Sequence, residues 1–136
     1  MSVVVAFAPT PEGRAALARA GEECRLRDTG LVIVKSANSR LPDGMEPATY
    51  DAEVVRALQE LEAAGVRCEV READGEAPPA EDVLTAATQT SAEVIVIGLR
   101  RRTPVGKLLL GSNAQRILLD AECPVLAVKA EITVGA

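Results

Sequence analysis

The 136-residue sequence predicts an α/β fold, a doubly wound open sandwich in which four helices cover a five-stranded, mainly parallel sheet. Three observations predict it. Short, nearly all-apolar runs recur at Val3–Ala8, Leu31–Val34, Val66–Val70, Val94–Ile97 and Val125–Val128. Helical apolar spacing fills the intervals, so strands alternate with helices and must run parallel, joined by right-handed crossovers. The first, second and fourth runs lack period-two alternation, as expected of strands covered on both faces.

Each element has a local reason. Val3–Ala8 opens the sheet. Thr10-Pro11-Glu12 then starts the first helix with a capping hydroxyl, proline at its first position and an acid at its positive end. Ala15, Ala16, Leu17, Ala20 and Cys24 form its apolar stripe, and Gly30 marks its stop. Leu31–Val34 is the second strand, and the Pro/Gly-containing stretch Ser36–Pro47 a loop. The second helix is expected over Thr49–Ala64, with Val54, Val55, Leu58 and Leu61 inward and Gly65 as stop. Val66–Val70 alternates and reads as an edge strand. Glu72–Pro79 is a turn region, Pro79–Ser91 the third helix with Val83, Leu84 and Ala87 inward, and Val94–Ile97 the fourth strand. Ser112 with Gln115 forms a capping box before Ile117-Leu118-Leu119, and Pro124 leads into the last strand. Residues 1–130 make one domain, and 131–136 a C-terminal tail.

Composition narrows the function. The sequence has no histidine, which excludes Ser-His, Cys-His and His-metal chemistry within one chain. Phe7 and Tyr50 are its whole aromatic set, too few for a stacking platform on single-stranded nucleic acid. A net charge of −5 argues against nucleic acid and anionic membranes as partners. Cys24, Cys68 and Cys123 are scattered and odd in number, which fits reduced thiols in the cytoplasm. Neither a signal-peptide pattern nor a transmembrane run is expected.

One segment breaks the acidic average. Between Gly98 and Arg116 the chain carries Arg100, Arg101, Arg102, Lys107 and Arg116 and no acid. It links the fourth strand to the fourth helix, and ligands of open α/β sheets sit beyond the carboxyl ends of strands, at helix N-termini. Gly98 lets the backbone leave the strand, and Gly111-Ser112 puts free N–H groups at a helix start. This suits an anion cradle. A solvated arginine loop beside an ordinary N-cap explains the same residues equally well.

The run Gly98-Leu99-Arg100-Arg101-Arg102-Thr103-Pro104-Val105-Gly106-Lys107-Leu108-Leu109-Leu110-Gly111-Ser112, followed by Cys123-Pro124-Val125-Leu126-Ala127-Val128, resembles the universal stress protein (UspA-type) family. The family's nucleotide motif is G-x2-G-x9-G-[ST], followed by a helix and a C-P-V-L-x-V strand. The resemblance spans Val3 to Lys129. It implies a Rossmann-like, adenine nucleotide alpha hydrolase-like sheet of order 3-2-1-4-5. It also implies a homodimer paired through the last strand, at Val125, Leu126, Ala127 and Val128. That apolar strand has nothing after it in the sequence to cover its outer edge.

Family members divide into those that bind ATP, AMP or cyclic AMP and those that do not. Gly98, Gly111 and Ser112 match the motif, and Ser36 would lie near the base by analogy. Three positions depart from the pattern. Arg101 replaces the second glycine, Ala8 stands where an aspartate commonly contacts the nucleoside, and Asn113 replaces an apolar residue. Arg100 or Arg101 could compensate by pairing with phosphate. The departures favour a dimeric stress-response module whose output is contact with other proteins. The retained residues support the alternative, a nucleotide-binding member with a degenerate motif. A slow ATPase ranks third. The sequence has neither a P-loop nor paired carboxylates at strand ends, so no enzymatic turnover is expected.

Overall fold

The computed structural model describes residues 1–73, 75–100 and 110–130. Five strands, β1 (Ser2–Phe7), β2 (Gly30–Lys35), β3 (Cys68–Glu72), β4 (Ala92–Leu99) and β5 (Val125–Lys129), form one sheet. The order is β3-β2-β1-β4-β5 and every pairing is parallel. Helices α1 (Pro11–Arg27) and α2 (Pro47–Ala63) cover one face, while α3 (Pro79–Gln89) and α4 (Ser112–Asp120) cover the other. The doubly wound expectation and its strand order therefore hold.

The side-chain alternation of β1 divides the core. Val3, Val5 and Phe7 pack with Ala16, Leu17, Ala20 and Cys24 of α1 and with Tyr50 and Val54 of α2. Val4, from the opposite pleat, joins Val83 and Ala86 of α3 and Ile117 of α4. β1 is thus buried on both faces, which is why its sequence does not alternate. β3 lies at the sheet edge with a half-exposed pattern, as its alternation predicts.

Some helix ends and faces match expectation and others differ. α1 is capped at Thr10, whose Oγ1 accepts from the Gly13 N–H at 3.1 Å. It stops at Asp28 (φ 53°), whose N–H bonds the Cys24 carbonyl. The stop is thus an aspartate in the left-handed conformation, a residue that tolerates it, and Gly30 belongs to β2. Gly65 does take positive φ (88°) just beyond α2. Val55 is 52% exposed rather than inward, and Leu119 is 83% exposed because only Ile117 of its run turns to the sheet. A short 3-10 turn, Asn38–Arg40, lies within the loop after β2.

Candidate functional site

β1 and β4 are neighbours, yet β1 leads to a helix on one face and β4 to a helix on the other. Their carboxyl ends must part, and a crevice opens where they do. A cleft of about 560 Å³ lies there. Its apolar lining includes Val34, Val83, Ile97 and Ile117. The first turns of α1, α3 and α4 reach it through Thr10 and Gly13, Pro79 and Ala80, and Asn113 and Ala114. Three helix N-termini thus converge on one cavity, and their partial positive charges favour an anion.

Two glycines set the cleft's shape. A Cβ on Gly98 would lie 2.2 Å from the Glu12 carbonyl oxygen, and one on Gly13 would lie 2.0 Å from that of Ala8. Only bare backbone lets α1 settle against the ends of β1 and β4. Gly98 is therefore required by close approach, within β4, and not by the freedom to leave the strand that its sequence position suggests. Gly13 was not singled out in the sequence. A glycine inside a helical pattern, where alanine is the better helix former, signals a packing constraint.

The structure brings Ala8, Ser36, Gly98, Arg100 and Asn113 to the cleft. Arg101 lies outside the described residues, as do 102–109 and the tail at 131–136. Arg100 Nε donates to Glu12 Oε1 at 3.3 Å, and Glu12, whose side chain is 18% exposed, also lines the cavity. The cleft thus contains a carboxylate one turn beyond Ala8.

Gly111 and Ser112 are exposed and do not line the cavity. Gly111, not Ser112, is the N-cap of α4, and no side chain caps that helix. The expected capping box is absent: Gln115 Nε2 donates to the Leu110 carbonyl at 3.3 Å. The polar residue that works here is Asn113. Its Oδ1 accepts from the Ala80 N–H at 3.1 Å, so α4 caps the first turn of α3 across space.

On the opposite side of the cleft, Arg40 Nη2 donates to the carbonyls of Gly75 at 3.1 Å and Ala77 at 3.0 Å, tying two loops together. Lys35, 7% exposed at the end of β2, pairs with Asp51 and with Glu72 Oε1 at 3.3 Å. Burial alone would lower its pKa, but hydrogen bonds and attraction from the two carboxylates outweigh it and hold the ammonium above its ordinary value. Burial pushes the Cys24 thiol up to about 12, and raises Cys68 and Cys123 as well. These thiols are held away from the reactive thiolate form. Among the described residues no His/Cys/Asp/Glu group could hold a metal ion, and no helix is long and apolar enough to cross a membrane.

Comparison with known proteins gives a consistent picture. The family model of the universal stress protein family matches residues 1–129. A universal stress protein of Mycolicibacterium smegmatis is 43% identical over 129 residues, covering 93% of this chain and 96% of that protein. A universal stress protein from Archaeoglobus fulgidus, solved in complex with dAMP, is 28% identical with a TM-score of 0.70, covering 95% of this chain and 98% of its own. Another, solved in complex with cAMP, is 25% identical with a TM-score of 0.67, covering 96% and 98%.

Proposed function

The chain belongs to the universal stress protein family, and from that premise we propose that it binds an adenine nucleotide in the cleft between β1 and β4. The observation that carries this reading is the open cavity at the meeting of three helix N-termini, with Gly13 and Gly98 keeping backbone close to its wall. Its volume, about 560 Å³, falls within the range of small-molecule sites. Relatives solved with dAMP and with cAMP support the same ligand class.

In this reading the base rests on Val34, Val83 and Ile97, because the chain has no ring to spare for stacking. The phosphate meets the helix N-termini, and Arg100 exchanges Glu12 for a phosphate oxygen. Arg101 and Ala8 then cost affinity without abolishing the site. Calorimetric titration with AMP, cyclic AMP and ATP tests this: saturable heat at one nucleotide per chain is expected, and a flat trace with all three overturns it. ATP recovered intact afterwards is also expected. Among the described lining residues Glu12 is the one carboxylate, so no carboxylate pair stands there to hold a metal ion for phosphoryl transfer.

We further propose a homodimer, in the cytoplasm, paired through β5. Two features support the pairing: β5 is an edge of the sheet, and Val125, Leu126 and Val128 remain only half-buried within one chain. Light scattering at the monomer mass would overturn it.

A further inference from the structure

We infer that Tyr50 is a positioning residue for this cleft, its hydroxyl holding the ends of β1 and β2 together where the sheet's own ladder stops. The inference rests on the nucleotide reading above. The β1–β2 register ends at Phe7↔Lys35, and the next residues, Ala8 and Ser36, line the cleft. The direct bond across that gap, Ser36 N–H to the Phe7 carbonyl, is long at 3.3 Å. Tyr50 bridges it. Its hydroxyl donates to the Phe7 carbonyl at 2.5 Å and accepts from the Ser36 N–H at 3.0 Å.

The ring is itself fixed. Tyr50 is fully buried in the first turn of α2, with its ring 5.7 Å from that of Phe7. The Lys35 ammonium sits 5.0 Å above it, anchored by Asp51 of α2 and Glu72 of β3. A residue that merely filled the core would need no hydroxyl, and here the hydroxyl satisfies backbone groups of two strands at the cleft's edge. The chain's two aromatic residues therefore form one device at the mouth of the site.

Tyr50→Phe keeps the ring and removes the bridge. Val94→Ala, at the other end of the sheet, serves as a control for general loss of stability. For Tyr50→Phe we expect amide exchange at Ser36 to accelerate about tenfold and AMP affinity to fall about fivefold, the scale of one lost hydrogen bond. Val94→Ala should leave both near the wild-type values. Unchanged Ser36 exchange in Tyr50→Phe, or an AMP affinity equal to that of Val94→Ala, would overturn the inference. No AMP binding by the wild-type chain would instead remove the nucleotide reading, and the exchange rates would still decide whether Tyr50 holds the strand ends.

Discussion

At the scale of the residue, what matters at the cleft is often the absence of a side chain. Gly98 and Gly111 occupy equivalent places in the motif read from sequence, yet their surroundings differ completely. A Cβ on Gly98 meets the Glu12 backbone at 2.2 Å, whereas one on Gly111 (φ −70°) meets nothing within 4 Å. Backbone cannot give way as a flexible side chain can. Gly98→Ala should therefore destabilise the fold by about 2–4 kcal/mol, while Gly111→Ala, which loses only the N-cap preference for glycine, should cost about 1 kcal/mol or less, both measured by urea denaturation. Equal losses in the two variants would refute the close-approach argument. The glycine at 98 was legible in the sequence, but its reason was not, because the atom it avoids belongs to α1, more than eighty residues away.

At the scale of the element, helix ends carry the information. Thr10 caps its own helix, and that was readable from Thr10-Pro11-Glu12, since the partner lies three residues on. Asn113 looked like a departure from the family pattern, one position past the serine expected to cap α4. It caps α3 instead, a partnership across 33 residues that no local spacing encodes. Asn113→Ala should cost about 1 kcal/mol in urea denaturation. Asn113→Asp should keep or raise stability, because a carboxylate suits the N-termini of both α3 and α4. The same charge should weaken nucleotide binding, because residue 113 lines the cleft. Stability lost equally in both variants would contradict the capping role.

At the scale of the whole molecule, parallel winding leaves two edges. β3 is partly polar, with Glu69, Arg71 and Glu72 on it, which suits a solvent-facing edge. β5 is apolar but for Lys129. The bond from Ile95 N–H to the Pro124 carbonyl sets its alternation, so the N–H groups of Leu126 and Val128 face β4 and that of Ala127 faces outward. Ala127→Pro removes only an outward donor. It should convert the proposed dimer to monomer in light scattering while leaving the far-ultraviolet circular dichroism of the fold intact. A dimer that survives the substitution would exclude pairing through this edge.

The chain's sequence determined its α/β class, its strand–helix rhythm and the half-exposed edge at β3, because burial on one face or two writes itself directly into the period of apolar residues. It also marked Ala8, Ser36, Gly98 and Arg100, which do meet at one cleft. Only the tertiary structure decided what these residues face. It set Glu12 against Arg100, packed Gly98 on the Glu12 backbone, gave Asn113 to another helix and placed the Tyr50 hydroxyl between two strand ends. Each is a contact between segments distant along the chain, settled when both faces of the sheet are packed, and so beyond the reach of local spacing.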